Sequence, residues 1–449
     1  MYIKNRAEIK GAKMKNNNLY PNEYIPFTTK KEGALPPSEN SFLINLCAFI
    51  IAVTCILLIK HYNLMQAGVS ALLTFIAIFT FSILSMEFLF RPQQSIFTKI
   101  KIRRKFNIIR WATKLLALFA IWSIIGFLYW LFPIYKDRLF TTYLICLREY
   151  WWLLCLLGAI YFALEDCIGE KSDDAYWQLG RWLMGYRSDA KKEEIVELLR
   201  GWGVKFFYLA LMLPYFNRRL NWFMRADFSY MFDTPSNIFR YANDIIFFAD
   251  LAIAAAGYMM TFKIFNTQIR SSEPTLFGWI VAVGCYWPFW SNLFSRYYLS
   301  YGTGIYWQNI FADSYWFYVW MFLILICEAI YSLATIALGI RFSNLTYRGL
   351  VTSGPYRFTK HPAYVFKNIS WWLISMPFLA FGNNPSQAIR GTILLFALNL
   401  VYYARAKTEE NHLSHYPEYV EYALMMNKKS IFAPLTKLLP FLKYKAPQK

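Results

Sequence analysis

Three of the four histidines in this 449-residue chain lie in its last fifth, among carboxylates, cations and tyrosines. The first group occupies residues 350–364, with the sequence LVTSGPYRFTKHPAY. Its two prolines disfavour a continuous helix, and its glycine permits a tight backbone turn. We therefore predict a loop that carries the following chemically capable residues: Gly354, Pro355, Tyr356, Lys360, His361, Pro362 and Tyr364.

The second group is the run RAKTEENHL at residues 405–413, which follows a long apolar segment. On a helix, Arg405, Glu409 and Leu413 share a face through their i, i+4 spacing. We expect Glu409, Glu410, the Arg405 cation, an imidazole and several aromatic rings to converge on one pocket. Such a pocket suits a small zwitterionic cofactor and an apolar substrate.

Two other readings of these residues stay open. Arg405, Lys407, Glu409 and Glu410 could form a solvated helix face, with Arg357 and Lys360 as ordinary loop cations. His412 and His415 with Glu409 are ligand types at helical spacing for a metal. No sequence feature places His361 beside them, so we predict no metal site.

The composition points to a membrane protein. Charged residues make up 16% of the chain, against about 25% in soluble domains, while hydrophobic residues reach 57% and aromatic residues 20%. These values exclude an ordinary globular, a disordered or a disulfide-rich chain. The net charge of +20 then favours a bilayer with anionic lipid as partner, and we predict no nucleic-acid partner.

The seven cysteines and the amino-terminal segment do not indicate a metal-binding, redox or secreted protein. No C-x-x-C pair occurs, and no cysteine spacing would build a zinc site. The first forty residues are polar and of mixed charge, so we predict no cleavable signal peptide. The first apolar segment is then an uncleaved anchor.

A helix needs about 20 apolar residues to cross a bilayer. About ten segments meet this test, and we predict an all-α, polytopic transmembrane helical bundle. The last two segments are short enough to form a helical hairpin around residues 382–385. The ten begin near Ser41, Ala67, Trp111, Tyr143, Gly201, Ile245, Thr275, Tyr315, Ile369 and Ala388.

The lysines and arginines of short loops predict the orientation. The loop between the second and third segments contains eight of them and no acid, so we place it in the cytoplasm. Both termini and the two motif regions then lie on that same side, and the protein is a multi-pass integral membrane protein. One region conflicts with this orientation, because it would place four arginines on the outer side. They are Arg218, Arg219, Arg225 and Arg240.

Ionisable residues inside spans are expensive, and they are functional candidates by default. Arg148 and Glu149 lie near a span end, where mutual pairing would satisfy them. Glu328 falls in the middle of a span, where a helix-packing partner such as Lys205 is an equal alternative to function. The full set is Glu87, Arg148, Glu149, Asp244, Asp250 and Glu328.

Several nucleotide and hydrolase signatures are absent from the chain. It contains no G-x-G-x-x-G fingerprint, no Walker loop, no G-x-S-x-G elbow and no H-E-x-x-H motif. A nucleotide-like cofactor would therefore bind outside a Rossmann domain.

The two motifs together resemble a known group of enzymes. The run Gly354-Pro355-Tyr356, then Lys360-His361-Pro362-x-Tyr364, is followed by Arg405, Glu409-Glu410-x-x-Leu413 and Tyr419-x-x-Tyr422. This order resembles the isoprenylcysteine carboxyl methyltransferase and phospholipid methyltransferase superfamily of integral membrane enzymes. The resemblance covers roughly residues 341–434. We therefore divide the chain into a polar cytoplasmic segment at 1–40, a transmembrane region of unknown role at 41–310 and a methyltransferase-like membrane domain at 311–449.

The resemblance implies S-adenosylmethionine as the cofactor, held at the cytoplasmic interface. Backbone contacts would come from Gly354, Pro355 and Tyr356, while His361, Pro362 and Tyr364 would help to hold the methyl donor. Glu409 and Glu410 would engage its ribose or its amino group.

The resemblance also implies catalytic roles for Arg405, Lys360 and Glu410. Arg405 matches a family arginine that steers a substrate carboxylate. Lys360 stands where the family usually has arginine before His-Pro, so a point charge replaces planar bidentate recognition. A carboxylate acceptor needs no base, whereas a protonated amine needs one. His361, His412 or Glu410 would then serve.

The implied activity is methyl transfer to a membrane lipid or a lipidated protein, with an isoprenylcysteine carboxylate as one acceptor. Two rival functions remain at this point. A membrane-embedded, NADPH-dependent sterol-type reductase is one, because sterol reductases resemble this superfamily in their terminal helices. A non-catalytic transporter that uses Glu328 and Asp250 is the other.

Overall fold

The computed structural model describes residues 34–93, 101–169, 173–188, 190–312, 314–382 and 384–447. Most of the predicted polar segment 1–40 lies outside them. The first seven α-helices are α1 (Phe42–His61), α2 (Val69–Phe90), α3 (Ile108–Leu131), α4 (Thr141–Ile168), α5 (Ala175–Leu183), α6 (Lys192–Arg225) and α7 (Pro235–Met259). They are followed by α8 (Leu276–Val283), α9 (Trp307–Ile310), α10 (Tyr315–Leu338), α11 (Pro362–Ser375), α12 (Pro385–Leu413), α13 (Pro417–Lys429) and α14 (Ala433–Leu438).

Short elements complete the described part of the chain. Two antiparallel strands, β1 (Ser271–Ser272) and β2 (Thr346–Tyr347), pair with Ser271 opposite Tyr347. A π-helix covers Phe289–Tyr298. The 3₁₀ turns lie at Pro133–Lys136, Arg138–Phe140, Phe228–Phe232, Lys263–Phe265, Gly339–Arg341, Gly354–Arg357, Pro377–Gly382 and Pro440–Leu442.

Six of the described helical segments are long and apolar enough to cross a membrane. They are Phe42–His61, Val69–Phe90, Ile108–Leu131, Arg138–Ile168, Pro235–Met259 and Tyr315–Arg341. With almost no strand beside them, these segments confirm the predicted all-α membrane bundle. The chain is a multi-pass integral membrane protein.

The other four expected segments, which begin near Gly201, Thr275, Ile369 and Ala388, are helical but are not among these six. Helix α6 runs for 34 residues through Pro214 and carries charged ends. The continuous span expected from Thr275 is replaced by α8 and the π-helix Phe289–Tyr298. Gly284 and Pro288 separate these two, and a proline cannot donate a helical hydrogen bond. Helix α11 has 14 residues and α12 has 29, and they form the expected hairpin through Pro377–Gly382.

The main core lies between α1, α2, α6, α7 and α10. Phe75 of α2 contacts Phe216 of α6 and Phe248 of α7, with ring centroids 5.2 and 5.7 Å apart. Helix α7 adds fully buried alanines at 252 and 254–256. Small side chains at a helix interface let backbones approach closely, which is how helices in lipid gain packing energy.

Helix α1 runs from the loop at residues 350–364, which we call the motif loop, to the end of α6, near the arginines at 218–240. At its start, Asn40 donates to the Leu338 carbonyl oxygen at the end of α10. At its other end, Lys60 donates to the Ala226 carbonyl oxygen at 2.6 Å, just after α6. A 20-residue helix is about 30 Å long. The arginines at 218–240 therefore lie at the opposite end of the bundle from residues 341–361, and one of them, Arg219, pairs with Asp244.

A buried arginine fastens the motif loop to the bundle. The guanidinium of Arg348 donates to the carbonyl oxygens of Gly257, Met260, Thr267 and Phe342 at 2.7–2.9 Å. The β1–β2 pair lies beside this contact. The end of α7, the segment after it and the loop before the motif therefore form one rigid base for the site.

Candidate functional site

The predicted turn at Gly354 exists and is pressed against two helices. Gly354 has φ +61° and begins the 3₁₀ turn Gly354–Arg357. A Cβ atom there would lie 2.7 Å from the Phe42 ring and 3.2 Å from Ala337 Cβ. From the other side, the Tyr422 hydroxyl donates to the Tyr356 carbonyl oxygen at 2.7 Å. The backbone of the turn is therefore fixed by α1, α10 and α13.

The two sequence motifs meet at Tyr364. Its hydroxyl donates to Glu409 Oε2 at 2.8 Å. The His361 ring lies nearly parallel to the Tyr364 ring, with centroids 5.6 Å apart and an interplanar angle of 9°. The loop histidine and the α12 carboxylate are thus joined through one tyrosine. We call His361, Tyr364, Glu409 and Glu410 the junction cluster.

Glu410 is buried and surrounded by cations. Its carboxylate oxygens lie 2.7 Å from Lys360 Nζ, 2.7 Å from Lys407 Nζ and 3.3 Å from His361 Nε2. Burial alone would raise the pKa of this carboxyl, but the hydrogen bond from His361 and the charge of Lys360 hold the pKa well below its ordinary value. Burial lowers the pKa of Lys360. Glu410 is therefore an ionised anchor for Lys360 and His361.

Glu409 keeps free accepting capacity. Within the described chain, its carboxylate accepts one hydrogen bond, from Tyr364. A carboxylate has about four lone-pair sites. Glu409 can therefore still accept hydrogen bonds from a ligand, in contrast to the neighbouring Glu410.

Arg405 lies one helical turn before Glu409 and contacts the same tyrosine. Its guanidinium carbon is 5.0 Å from the Tyr364 ring centroid and 5.8 Å from that of Tyr402. One guanidinium nitrogen donates to Asn344 Oδ1 at 2.5 Å. Arg405 is only 6% exposed, and no carboxylate of the described residues lies within 4 Å of it. A buried cation without a countercharge is costly.

The donor set fits S-adenosylmethionine. The Tyr419 hydroxyl is buried and lacks a hydrogen-bond partner among the described residues, and it neighbours both Glu409 and Glu410. Amino and ribose hydroxyl groups need acceptors such as Glu409, and a sulfonium attracts aromatic faces such as Tyr364. The junction cluster thus offers an acceptor and an aromatic face, and Tyr419 adds a buried hydroxyl without a partner among the described residues.

His412 does not join the junction cluster. Its Nε2 lies 2.8 Å from Ser271 Oγ of β1, and Tyr416 donates to the same oxygen at 2.7 Å. Burial, with His415 nearby, lowers the pKa of His412 to about 4. Of His361 and His412, His361 alone lies beside Tyr364 and the α12 carboxylates. The described residues contain no group of three or more His, Cys, Asp and Glu that could hold a metal.

The charges inside the spans have partners that sequence spacing did not reveal. Glu328 accepts from Asn243 Nδ2 at 2.9 Å, so the suggested partner Lys205 was wrong. Lys205 instead lies 4.5 Å from the centroid of the Trp202 ring. Asp250 accepts from Thr335 and Tyr331, while Arg148 pairs with Glu149 at 3.7 Å as expected.

Sequence reasoning missed four residues around Arg405. Asn344 accepts from Arg405 and also donates to the Tyr258 and Tyr286 hydroxyls at 2.8 and 3.1 Å. Tyr208 stacks on Tyr258 with centroids 5.1 Å apart. Three of the four lie 60 or more residues before the motifs, and no spacing rule connects them to Arg405.

Comparison with known proteins identifies part of the chain. No curated protein and no solved structure matches it. A family model does match, over residues 318–415, which span α10, the motif loop, α11 and α12. The match supports a membrane methyltransferase as the general class of activity. It confirms the resemblance found in the motifs: residues 318–415 match the isoprenylcysteine carboxyl methyltransferase (ICMT) family.

Proposed function

We propose that this protein transfers a methyl group from S-adenosylmethionine to a lipid or lipidated substrate at the cytoplasmic membrane face. The observation that carries the proposal is the junction cluster. There the Tyr364–Glu409 hydrogen bond and the stacked His361 join the two motifs within the residues that match the family.

On this proposal the donor lies against the junction cluster. Glu409 accepts from its amino or ribose groups, and Tyr364 and Tyr356 offer ring faces to the sulfonium. The fixed turn at Gly354, Pro355 and Tyr356 supplies the backbone wall. S-adenosylmethionine, when bound, supplies an electrophilic methyl group for in-line displacement, so the protein's work is chiefly positioning.

The contacts of the charged residues support a separate proposed role for each of them. Glu410, with its low pKa and two lysine partners, is a poor proton acceptor. It instead orients Lys360 and His361, and Pro362 starts α11 just after the histidine. His361 is then the proposed base for an amine acceptor. Arg405 is the proposed contact for an anionic acceptor such as an isoprenylcysteine carboxylate.

The first experiment measures donor binding. We expect Glu409→Gln and His361→Ala to weaken binding of S-adenosylmethionine at least about tenfold, the effect of roughly one hydrogen bond to a charged group. Isothermal calorimetry on the purified protein in detergent gives the affinity, and thermal unfolding shows that the variants are folded. Glu193→Gln makes the same change at an exposed position on α6 and should bind as the wild type does.

If Glu409→Gln and His361→Ala both bind S-adenosylmethionine as tightly as the wild type does, the proposal is wrong. Stabilisation of the wild type by NADPH and not by the methyl donor would favour the reductase, and substrate flux in liposomes without donor would favour the transporter. Mass spectrometry of membrane lipids and lipidated proteins with a labelled methyl donor then identifies the acceptor.

A further inference from the structure

Three tyrosines from outside the family-matched residues contact Arg405 or pack against its partners. Tyr208 comes from α6, Tyr258 from the end of α7, and Tyr286 follows α8. Tyr208 and Tyr258 stack with an interplanar angle of 3°, and the Tyr286 ring meets Tyr208 edge-on at 5.0 Å. Tyr208 and Tyr258 are 0% and 1% exposed. We call these three residues the tyrosine wall.

The tyrosine wall and Arg405 are held as one unit by Asn344. The Asn344 amide donates to the hydroxyls of Tyr258 and Tyr286, and its oxygen accepts from Arg405. The Arg405 guanidinium also lies 5.6 Å from the Tyr286 ring centroid. The position of the arginine is therefore set jointly by the motif helix and by helices that precede residue 310.

Two groups in this unit have unused hydrogen-bonding capacity within the described chain. Arg405 has five N–H donors and makes a single hydrogen bond there, with no carboxylate within 4 Å. The Tyr208 hydroxyl is fully buried and has no hydrogen-bond partner. Leaving such groups unsatisfied away from water is expensive. Tyr208 and Arg405 both lie against the Tyr286 ring, and one oxyanion bound there would accept hydrogen bonds from both.

We infer that the tyrosine wall is the specificity-determining half of the acceptor site, where Tyr208 and Arg405 together bind the oxyanion of the acceptor lipid. The inference rests on the proposed methyltransferase function and gives the region before residue 310 a part in it. The oxyanion is a carboxylate in a lipidated cysteine and a phosphate in a phospholipid. On this inference the donor lies against the junction cluster and the acceptor against the tyrosine wall, with Tyr364 in contact with both Glu409 and Arg405.

The test compares Tyr208→Phe with Tyr129→Phe. The first variant removes only the unpaired hydroxyl and keeps the stacked ring. The second removes a buried hydroxyl that contacts the Phe206 carbonyl oxygen and the Tyr143 hydroxyl, outside the Arg405 unit. Tyr286→Leu is the third variant, and it removes the ring beside the arginine.

Methylation of N-acetyl-S-farnesylcysteine and of phosphatidylethanolamine vesicles gives the kinetic result. Tyr208→Phe should raise the acceptor KM about tenfold with donor affinity unchanged, and Tyr286→Leu should raise it further. Tyr129→Phe should keep the wild-type KM. The lipid that the wild type methylates tells a carboxylate from a phosphate. An unchanged acceptor KM in Tyr208→Phe, or a loss of donor affinity instead, overturns the inference.

A second measurement needs no turnover. Acetate, compared with chloride at equal ionic strength, should stabilise the wild type and Tyr129→Phe against thermal unfolding more than it stabilises Tyr208→Phe. The difference between variants cancels the general salt effect. Equal stabilisation of all three overturns the oxyanion site, whatever the reaction is. Absence of donor binding to the wild type instead overturns the proposed methyltransferase function, so the two failures are distinct.

Discussion

At the residue scale, the charged side chains near the motifs differ in their neighbours, and these neighbours decide what each side chain can still bind. Glu410 has two lysines and a histidine within 3.3 Å, Glu409 has a single tyrosine donor, and Arg405 has an asparagine and tyrosine rings. Adjacent carboxylates on one helix thus differ in what they can still bind. The sequence does not distinguish Glu409 from Glu410. Their roles differ because Lys360 and His361 pack against Glu410.

A histidine outside the junction cluster predicts a pH dependence. His412 lies beyond the apolar part of α12, and burial lowers its pKa to about 4, against about 6.5 in an unfolded chain. Between these values the unfolded state binds more protons, so stability falls as the pH drops from about 6.5 to about 4 and changes no further below that. We expect His412→Gln to lose this dependence, which amounts to about 3 kcal/mol.

Thermal unfolding midpoints between pH 7.5 and pH 4 check this prediction. Other carboxylates titrate near pH 4, so the informative quantity is the difference between wild type and variant. His61→Gln, at the exposed end of α1, serves as the control and should follow the wild type. A parallel decline in His412→Gln and wild type would contradict the assignment.

At the element scale, apolar length predicted about ten spans, and six described helical segments are long and apolar enough to cross a membrane. The starts expected near Ser41, Ala67, Trp111 and Tyr315 lie within three residues of the starts of α1, α2, α3 and α10, because hydrocarbon thickness alone requires such runs. The segment after Thr275 has the same composition but breaks at Gly284 and Pro288. A count of apolar residues does not register that break, because it ignores where glycine and proline stand in the segment.

The motif turn was predictable, whereas the reason for its glycine was not. Gly354 was expected for its flexibility, and its φ of +61° agrees. The close approach of Phe42, which is 312 positions earlier in the chain, has no local signal. Likewise the hydrogen bond between Tyr364 and Glu409 follows from two motifs, but the tyrosine wall around Arg405 depends on three helices that no motif marks.

This packing predicts the effect of an alanine at the turn. Gly354→Ala would place a Cβ 2.7 Å from the Phe42 ring and in a left-handed conformation that costs roughly 1–2 kcal/mol for a residue with a side chain. We expect a loss of about 2–3 kcal/mol in stability and weaker donor binding. Unfolding midpoints and donor calorimetry measure both.

Gly126→Ala is the matched control, because nothing lies within 4 Å of the added Cβ and alanine favours helix there. Adding Phe42→Leu to Gly354→Ala should recover part of the lost stability, since it relieves the contact and leaves the backbone strain. No recovery would assign the whole loss to the backbone.

At the scale of the whole molecule, the family-matched residues are embedded in the rest of the chain. Thr352 donates to the Pro36 carbonyl oxygen, Asn45 donates to the Ile336 and Ala337 carbonyl oxygens, and Arg348 holds the end of α7. These hydrogen bonds join the family-matched residues to the amino-terminal segment, to α1 and to α7. Residues 318–415 are therefore the recognisable part of a site that the preceding helices help to build.

This dependence predicts the behaviour of a divided chain. The loop near Gly304 has open space around it, so we choose a break between residues 304 and 305. We expect residues 305–449 alone to bind no S-adenosylmethionine, because the buried donors of Arg348 and the face of α10 would lack their partners. Co-expressed with residues 1–304, they should co-purify and bind the donor within about tenfold of the intact chain, since the lost connection adds chiefly an association cost.

Arg348→Ala in the divided protein identifies the contact responsible. It leaves the Gly257, Met260 and Thr267 carbonyl oxygens without their buried donor, at a cost of about 1–3 kcal/mol for each unsatisfied group. The two parts should then fail to co-purify. If residues 305–449 alone bind the donor as tightly as the intact chain does, the earlier helices are an appendage, and the donor half of the site belongs to the family-matched segment by itself.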